Sequence, residues 1–318
     1  MSMSIPGSTA IHDIGYRHYD GPRLGRAYVL RSLFVHNLRA VYGLGRPAKA
    51  KVMPFLLSAF MLVPAAGSIA VVALSKRPEL LIGYSKYAVF LQVLIAIFLA
   101  SQAPVLAARE LRSHVVPLYF SRPVGRLDFV AAKYAALTTA LFLLMAAPVT
   151  LLYVGALVTR DQTKPNSGGP GGGPLSDGST KGSSVGEHTL HVLGGLAGCL
   201  VFALVLAGIG LVVAAFTPRR GFGVAAVMAI YMVSSVTVII VQGIAESTGN
   251  YGLAGWVGLF TPFNLVDIVQ VKLLGADRAA PFVPSSWLGG PVAALICVAL
   301  IAGSITILSA RFQKAGTS

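Results

Sequence analysis

Six predominantly apolar stretches alternate with short polar segments along the 318-residue chain. Each stretch is about 20 residues or longer, which is typical of a helix that crosses a bilayer, because only an internally hydrogen-bonded backbone is stable in hydrocarbon. The pattern therefore predicts an all-α polytopic membrane protein with six transmembrane helices. The predicted spans are Val52–Leu74, Tyr84–Ala108, Phe129–Val158, Leu190–Phe216, Phe222–Ala245 and Gly290–Ala310.

The positively charged residues between these spans are distributed unevenly. If the amino terminus is cytoplasmic, about two-thirds of the 25 Lys and Arg residues fall on the inner segments, as the positive-inside rule expects. An even number of spans then leaves both termini in the cytoplasm. The formal net charge of +14 is concentrated on the same face, where it suits anionic lipid headgroups. No basic stretch alternates with aromatic stacking residues, so we expect membrane lipids and not nucleic acid as partners.

Residues 1–51 precede the first span and form a predicted cytoplasmic segment. From Pro22 to Tyr42 the composition favours a helix, with Pro22 near its first turn. Arg31 and Arg39 interrupt the apolar face of this helix. We interpret it as an interfacial helix at the inner leaflet whose arginines reach the headgroups; an ordinary cytosolic cap is the alternative.

Residues 52–318 form the predicted six-span domain, and two of its connecting segments are not simple loops. Residues 161–186 are rich in Gly, Pro and Ser, which predicts a flexible loop on the outer side. Residues 251–274 are apolar at first and more polar in their second half. We expect a re-entrant helical hairpin there, broken at Thr261-Pro262, because irregular backbone is stable in a membrane where protein covers it. A seventh span, which would move the carboxy terminus outside, is the alternative.

The loop between the second and third spans, residues 109–128, is too apolar for a plain linker and too charged for the bilayer. Leu111, Val115 and Leu118 recur at helical spacing, and a rigid basic turn follows them. An apolar patch ringed by arginines suits the docking of a cytoplasmic protein, since burial supplies affinity and charge sets the register. The alternative is that the arginines only anchor the loop at lipid headgroups.

The charged and apolar residues of this loop follow an ordered pattern. It comprises Arg109-Glu110-Leu111-Arg112, then Leu118-Tyr119-Phe120-Ser121-Arg122-Pro123-Val124-Gly125-Arg126, and finally Lys133 in the next helix. This pattern resembles the first cytoplasmic loop of type-2 ATP-binding-cassette (ABC) exporter permeases. The plan of a basic interfacial helix, six spans and a re-entrant segment before the last helix is similar to that family too. The opening Ile11-His12-Asp13-Ile14-Gly15-Tyr16-Arg17 is similar to that of its bacterial members, whereas the long outer loop departs from the family's compact pattern.

The resemblance implies the permease subunit of an ATP-driven exporter in a bacterial plasma membrane. Its partners would be a separate cytoplasmic ABC ATPase and a second permease copy, in a homodimer or a heterodimer. The chain carries no Walker motif, so ATP and Mg would bind to the partner ATPase, and this chain would bind no cofactor or metal and catalyse no reaction. The cargo would be hydrophobic or amphipathic, such as a drug, a natural product or a lipid.

The resemblance also implies roles for individual residues. Part of the loop would form the coupling helix that docks on the ATPase, a second contact would follow the fourth span, and the hairpin would carry an outer gate. The coupling residues are Arg109, Glu110, Leu111, Arg112, Val115, Leu118, Tyr119, Ser121, Arg122, Pro123 and Arg126, with Arg219 and Arg220 in the second contact; the gate residues are Pro262, Asn264 and Asp267.

Polar side chains within the spans are candidates for a substrate path, although hydrogen bonding between helices is the alternative use. No Asp, Glu or Arg lies in the deep middle of any predicted span, which argues against an ion-coupled secondary carrier. An intramembrane enzyme is disfavoured because Ser234-Ser235 has no His or Lys partner within the spans. His188 and His191 alone do not make a zinc site. The path candidates are Gln92, Gln102, Thr138, Ser234, Ser235 and Gln242.

Overall fold

The computed structural model describes residue 21 and residues 25–75, 82–112, 125–159, 185–217 and 219–317. Of these residues 85% are helical, and none of them lies in a β-strand. The predicted all-α class is therefore confirmed for the described part of the chain. The helices are α1 (Arg26–Val41), α2 (Ala48–Ser75), α3 (Tyr87–Phe90), α4 (Gln92–Leu106), α5 (Ala108–Arg112), α6 (Arg126–Thr159), α7 (Val185–Phe216), α8 (Arg220–Ser247), α9 (Tyr251–Val257), a 3-10 turn (Gly258–Phe260), α10 (Pro262–Leu273) and α11 (Gly289–Thr317).

Five helices within the described ranges are long and apolar enough to cross a membrane. They coincide with five of the six predicted spans. The chain therefore has the helices of a multi-pass membrane protein. Their membrane-length segments are Ala48–Leu74, Leu127–Thr159, Thr189–Phe216, Gly221–Ser247 and Gly289–Ala315.

The second predicted span, Tyr84–Ala108, is divided in the structure. The short α3 ends at Phe90. The next residue, Leu91, has a φ of -101° and a ψ of 23°, which depart from helical values, and α4 then runs for 15 residues to Leu106. At a rise of about 1.5 Å per residue, α4 alone is shorter than the hydrocarbon core of a typical bilayer. The polar residue beside the break is Gln92, and glutamine is a good helix former, so the sequence pattern does not predict this break.

The helices at Tyr251–Phe260 and Pro262–Leu273 meet at an angle of 117°. The bend lies at the predicted break, where the Thr261 hydroxyl accepts a hydrogen bond from the Asn264 amide at 3.2 Å. A side-chain cap of this kind, followed by a proline in the first helical position, starts a new helix without losing a backbone hydrogen bond. The interpretation of this pair as a re-entrant hairpin stays a prediction.

Helix α7 lies at the centre of the packing. It contacts α4, α6, α10 and α11, and 61% of its most apolar stretch is buried, against 17% for α8. Glycines on α7 allow the neighbouring helices to approach it closely. A Cβ at Gly210 would lie 2.5 Å from the Leu99 side chain, and a Cβ at Gly208 would lie 2.5 Å from the Ser304 hydroxyl. The helices at the outside of the packing are more exposed, and many of the exposed apolar side chains belong to α2 and α8.

Helix α1 lies alongside α6 and runs in the same direction. At its start, the Arg26 guanidinium donates two hydrogen bonds of 2.6 Å to the Asp128 carboxylate. Just beyond its end, the Tyr42 hydroxyl donates to the Ala140 carbonyl at 3.2 Å. Burial raises the pKa of Tyr42 to about 12, so this hydroxyl keeps the proton that it donates. The predicted position of α1 at the inner leaflet stays a prediction.

Two predicted segments lie largely or wholly outside the described residues. Most of the outer loop at residues 161–186 is among them, as is the middle of the coupling loop at residues 113–124. The coupling candidates in that second segment are Val115, Leu118, Tyr119, Ser121, Arg122 and Pro123.

Candidate functional site

A cavity of about 480 Å³ lies between the α3–α4 segment, α8, the start of α10 and the chain that follows α10. We call it the α4–α8 cavity. This volume is within the range of about 300–1,000 Å³ that is usual for small-molecule sites. Its polar lining residues are Lys86, Gln92, Ser235, Gln242, Thr261 and Asn264, and its apolar ones are Ile82, Val89, Phe90, Val238, Ile239, Ala279 and Pro281.

The α4–α8 cavity combines residues that the sequence analysis assigned to two different sites. Gln92, Ser235 and Gln242 were predicted to line a substrate path, and Asn264 was predicted to belong to an outer gate. They come from three separate helices, and the folding of α10 against α7 brings Asn264 to the others. Their roles stay predictions, but these four positions share one cavity.

Gln242 and Ser235, two of the polar lining residues, differ in their hydrogen bonds. The buried Gln242 side chain donates from Nε2 to the Ala254 carbonyl at 2.9 Å, which ties α8 to α9. The buried Ser235 hydroxyl lies near Tyr231 but makes no hydrogen bond of good geometry to any residue that the structure describes. The Ser235 hydroxyl oxygen has almost no solvent-accessible surface, so the group within its reach is the neighbouring Tyr231 side chain and not a molecule in the cavity.

One wall of the cavity is held by Asp267, which the sequence analysis assigned to the gate. Asp267 is fully buried on α10, and its carboxylate accepts hydrogen bonds from the backbone N–H groups of Ala279 at 3.2 Å and Ala280 at 2.8 Å. The Ser85 hydroxyl also donates to the Asp277 carbonyl at 3.3 Å. Asp267 thus fastens the segment after α10 over the cavity and does not line the cavity itself.

We expect Asp267→Asn to loosen this wall. Asparagine keeps one acceptor oxygen but lacks the charge and the second acceptor, so the wall should lose about 1–2 kcal/mol of local stability. Hydrogen–deuterium exchange at Ala279 and Ala280 measures the effect directly and should become faster. Asp277→Asn is the matched control, because the exposed Asp277 contributes its backbone carbonyl and not its carboxylate to the contact with Ser85. Equal exchange in the two variants would contradict the anchoring role of Asp267.

The remaining path candidates lie outside the α4–α8 cavity. Gln102 is buried on α4 and donates to the Ser101 hydroxyl at 3.1 Å, and the Ser234 hydroxyl donates to the Tyr231 carbonyl on its own helix at 3.0 Å. The Thr138 hydroxyl is buried on α6 without a hydrogen-bond partner in the described ranges. The structure therefore brings only half of the predicted path residues together.

The predicted coupling loop begins with a buried ion pair. Lys133 Nζ on α6 lies 2.7 Å from Glu110 Oε2 on α5 and donates to the Leu106 carbonyl at the end of α4 at 2.6 Å. The two charged side chains are only 3% and 16% exposed. Lys133 Nζ also lies 4.8 Å from the centroid of the Phe129 ring, a distance at which the ring face attracts a cation.

The Lys133–Glu110 pair was not predicted from the sequence. Glu110 was assigned to ATPase coupling, but the structure turns its carboxylate inward to α6, where Leu111 also packs against the core. The sequence feature that could have pointed to this pair is Lys133, a single lysine in an apolar helix, because a charged side chain there needs an opposite charge nearby. Arg109, Arg112 and Arg126 lie in α5 and at the start of α6, while Arg219 and Arg220 flank the start of α8.

Comparison with models of known protein families gives no match, and comparison with curated proteins gives none either. The resemblance to ABC permeases therefore rests on the residues quoted above and not on overall similarity. No three His, Cys, Asp or Glu side chains come together in the described ranges as a metal site requires.

Proposed function

We propose that this protein is the six-span permease subunit of a bacterial ABC exporter. It acts in the plasma membrane with a separate cytoplasmic ATPase, which binds ATP and Mg, and with a second permease copy. Its cargo is a hydrophobic or amphipathic compound. In this proposal the chain itself catalyses no reaction.

The α4–α8 cavity is the observation that carries the proposal. It gathers path and gate candidates from distant parts of the chain, and its lining combines amide and hydroxyl groups with apolar side chains. Cavities with a mainly apolar lining and a few polar groups are typical binding sites for small organic ligands. A permease for amphipathic compounds needs a site of this kind.

The topology that we propose puts this cavity in the outer half of the membrane. The end of α4 leads to the cytoplasmic coupling loop, so the start of α4 at Gln92 lies toward the outside. Helix α8 begins at the inner contact near Arg219, so Ser235 and Gln242 lie in its outer half. The α3–α4 segment then serves as the second span, α9 and α10 form a re-entrant hairpin, and both termini are cytoplasmic.

A route from the ATPase to the cavity follows from the same contacts. The coupling loop continues from α5, and the Lys133–Glu110 pair joins α5 to α6 and to the end of α4. The other end of α4 begins at Gln92 in the cavity wall. Movement of the docked loop would therefore displace α4 and bias the spans between inward- and outward-facing packings.

The test is co-purification with a candidate ATPase, a soluble chain with Walker and signature motifs encoded beside this one. We expect a stable complex that Arg122→Glu weakens at least about tenfold, because charge reversal in a docking surface costs affinity. Arg278→Glu is the control, since Arg278 is exposed after α10 on the proposed outer side. The proposal fails if no ATPase co-purifies, or if transport persists without ATP and stops when the ion gradient collapses.

A further inference from the structure

The rim of the α4–α8 cavity is apolar and exposed. Phe90 and Ile239 both line the cavity, and they are 65% and 68% exposed. Ile239 belongs to Gly221–Ser247, one of the membrane-length helices. This rim therefore lies at the level of the hydrocarbon core, and a molecule dissolved in the bilayer reaches the cavity without first entering water.

The charges around this cavity compensate one another. Lys86 is the one charged side chain among the lining residues that the structure describes. It already has an interaction partner, and it attracts the buried carboxylate of Asp267, which does not line the cavity. A charged ligand would thus lose its hydration here without meeting an unpaired opposite charge. Burial of a charge in that situation is costly, so the cavity disfavours ions of either sign.

Two uncharged polar groups of the lining remain available to a ligand. The side-chain amides of Gln92 on α4 and Asn264 on α10 are partly exposed, and neither forms a hydrogen bond with the part of the chain that the structure describes. The nearby Gln242 amide differs, because its Nε2 already donates to the Ala254 carbonyl. Each available amide offers both a donor and an acceptor, so the pair suits a hydroxyl or a carboxamide group.

These amides also disfavour a plain hydrocarbon as the ligand. An amide without a hydrogen-bond partner is costly at a site that opens toward hydrocarbon. A ligand that displaces water from Gln92 and Asn264 therefore has to replace the hydrogen bonds of that water. A molecule with a neutral polar head meets this requirement, whereas an alkane does not.

The rest of the lining suits an apolar body. Val238 and Ile239 follow each other on α8, and Phe90 contributes an aromatic ring from the α3–α4 side. Burial of apolar surface against such side chains contributes about 25 cal/mol per Å². A sugar or a peptide would leave many of its polar groups unpaired against this wall.

We propose that the α4–α8 cavity binds an uncharged lipophilic molecule with a hydroxyl or carboxamide head. The molecule enters from the bilayer between Phe90 and Ile239, and its head forms hydrogen bonds with the amides of Gln92 and Asn264. This inference deepens the proposed function, on which the interpretation of the ligand as cargo rests, because it names the chemical class of that cargo. The compensated charge around the cavity is the basis for selection against ions.

The test uses the full-length protein in phosphatidylcholine nanodiscs at neutral pH and four photoactivatable probes. All four carry a diazirine on the same hexadecyl chain, and their heads are an alcohol, a primary amide, a sulfate and an ammonium group. Labelling is measured at Val238, a lining residue that is buried from the surrounding lipid.

We expect the alcohol and the amide to label Val238 in a saturable manner. The sulfate and the ammonium probe should need at least about tenfold higher concentration in the bilayer for half-maximal labelling, because each would bury an uncompensated charge. Stronger labelling by either ion, or equal labelling by all four probes, would overturn the proposal.

One pair of variants locates the head of the ligand. Asn264→Leu should raise the half-labelling concentration of the amide probe about tenfold, since a hydrogen bond to the ligand is lost, and Gln92→Leu should act in the same direction. Gln313→Leu is the control, because Gln313 is an exposed glutamine outside the cavity. Unchanged labelling by the amide in both cavity variants would overturn the proposal.

A second pair locates the entrance. Ile239→Trp should fill the rim and block the labelling of Val238 by the uncharged probes, whereas Ile240→Trp, at an exposed position outside the cavity, should not. Because Ile239 is exposed on the surface, its variant remains informative if Asn264→Leu fails to fold. Labelling that persists in Ile239→Trp would overturn the proposal.

Competition distinguishes the two neutral head groups. Stronger competition by unlabelled hexadecanol than by hexadecanamide indicates a lipid-alcohol type of ligand, and the reverse indicates an amide type. Competition by neither would overturn the proposal. The binding test needs no ATPase, so selective labelling by the uncharged probes without ATPase co-purification would retain this inference and remove the exporter. The opposite pair of results would retain the exporter and remove the uncharged ligand.

Discussion

Replacing Glu110 with alanine is expected to lower the free energy of unfolding by about 3–5 kcal/mol, because it leaves a buried charge without its partner. The charge in question is Lys133, which is nearly inaccessible to solvent and lies between α5, α6 and the end of α4. The Leu106 carbonyl continues to accept a hydrogen bond but carries no full charge. The measurement is the midpoint of unfolding in mixed micelles with increasing dodecyl sulfate.

The double variant Glu110→Leu with Lys133→Met separates the ion pair from simple packing. Since an apolar pair of similar size often replaces a buried ion pair without loss, this variant should be markedly more stable than Glu110→Ala. Glu246→Ala removes a carboxylate at the exposed end of α8 and serves as the control. If Glu110→Ala is no less stable than Glu246→Ala, the two charges do not form the pair described here.

Replacing Gly198 with alanine is expected to destabilise the protein by about 2–3 kcal/mol, because overpacking a well-filled interior forces neighbouring groups to move. A Cβ at Gly198 on α7 would overlap the amide end of the Gln270 side chain and lie 2.9 Å from its Cγ. Gln270 is 1% exposed on α10, so it has no solvent into which it can rotate. The same unfolding assay measures this change.

Gly194 provides the matched control, because it lies one turn earlier on α7 and a Cβ there meets no atom within 4 Å. Gly194→Ala should change stability by less than about 1 kcal/mol, in the direction of helix propensity. Gln270→Ala should in turn rescue Gly198→Ala, because the two side chains compete for one space and contacting residues are not additive. Equal effects at Gly194 and Gly198, or no rescue, would contradict the close packing of α7 and α10.

The glycine pair illustrates what a motif leaves open. Gly194-x-x-x-Gly198 is a small-residue spacing that permits close helix approach in membranes, and both glycines satisfy it equally in the sequence. Only the position of α10 distinguishes them, since Gln270 occupies the space over Gly198 and nothing in the described structure occupies the space over Gly194. The identity of the neighbouring helix is a long-range property that no local pattern contains.

The candidate site also combines features that the sequence contains with features that only the fold supplies. Its polar members could be found in the sequence, because Gln92, Ser235 and Gln242 stand out in apolar spans. Their alternative use, hydrogen bonding between helices, could not be separated from a role in a cavity until the distances were known. Gln242 in fact does both, since it bonds to Ala254 and lines the cavity. The place of Lys86 in the cavity wall could not be found from spacing at all.

By itself, the sequence determined that the described part of this chain is helical and that five of its helices are long and apolar enough to cross a membrane. It also determined that the chain bends at Thr261-Pro262. These features follow from the cost of unpaired backbone groups in hydrocarbon and from the chemistry of helix caps, both of which act within a few residues. The tertiary structure alone decided that α3 and α4 are separate, that Glu110 faces Lys133, and that Asp267 fastens a wall. Those outcomes depend on which helices pack together, because a buried charge or hydroxyl is stable only beside the partner that the fold supplies.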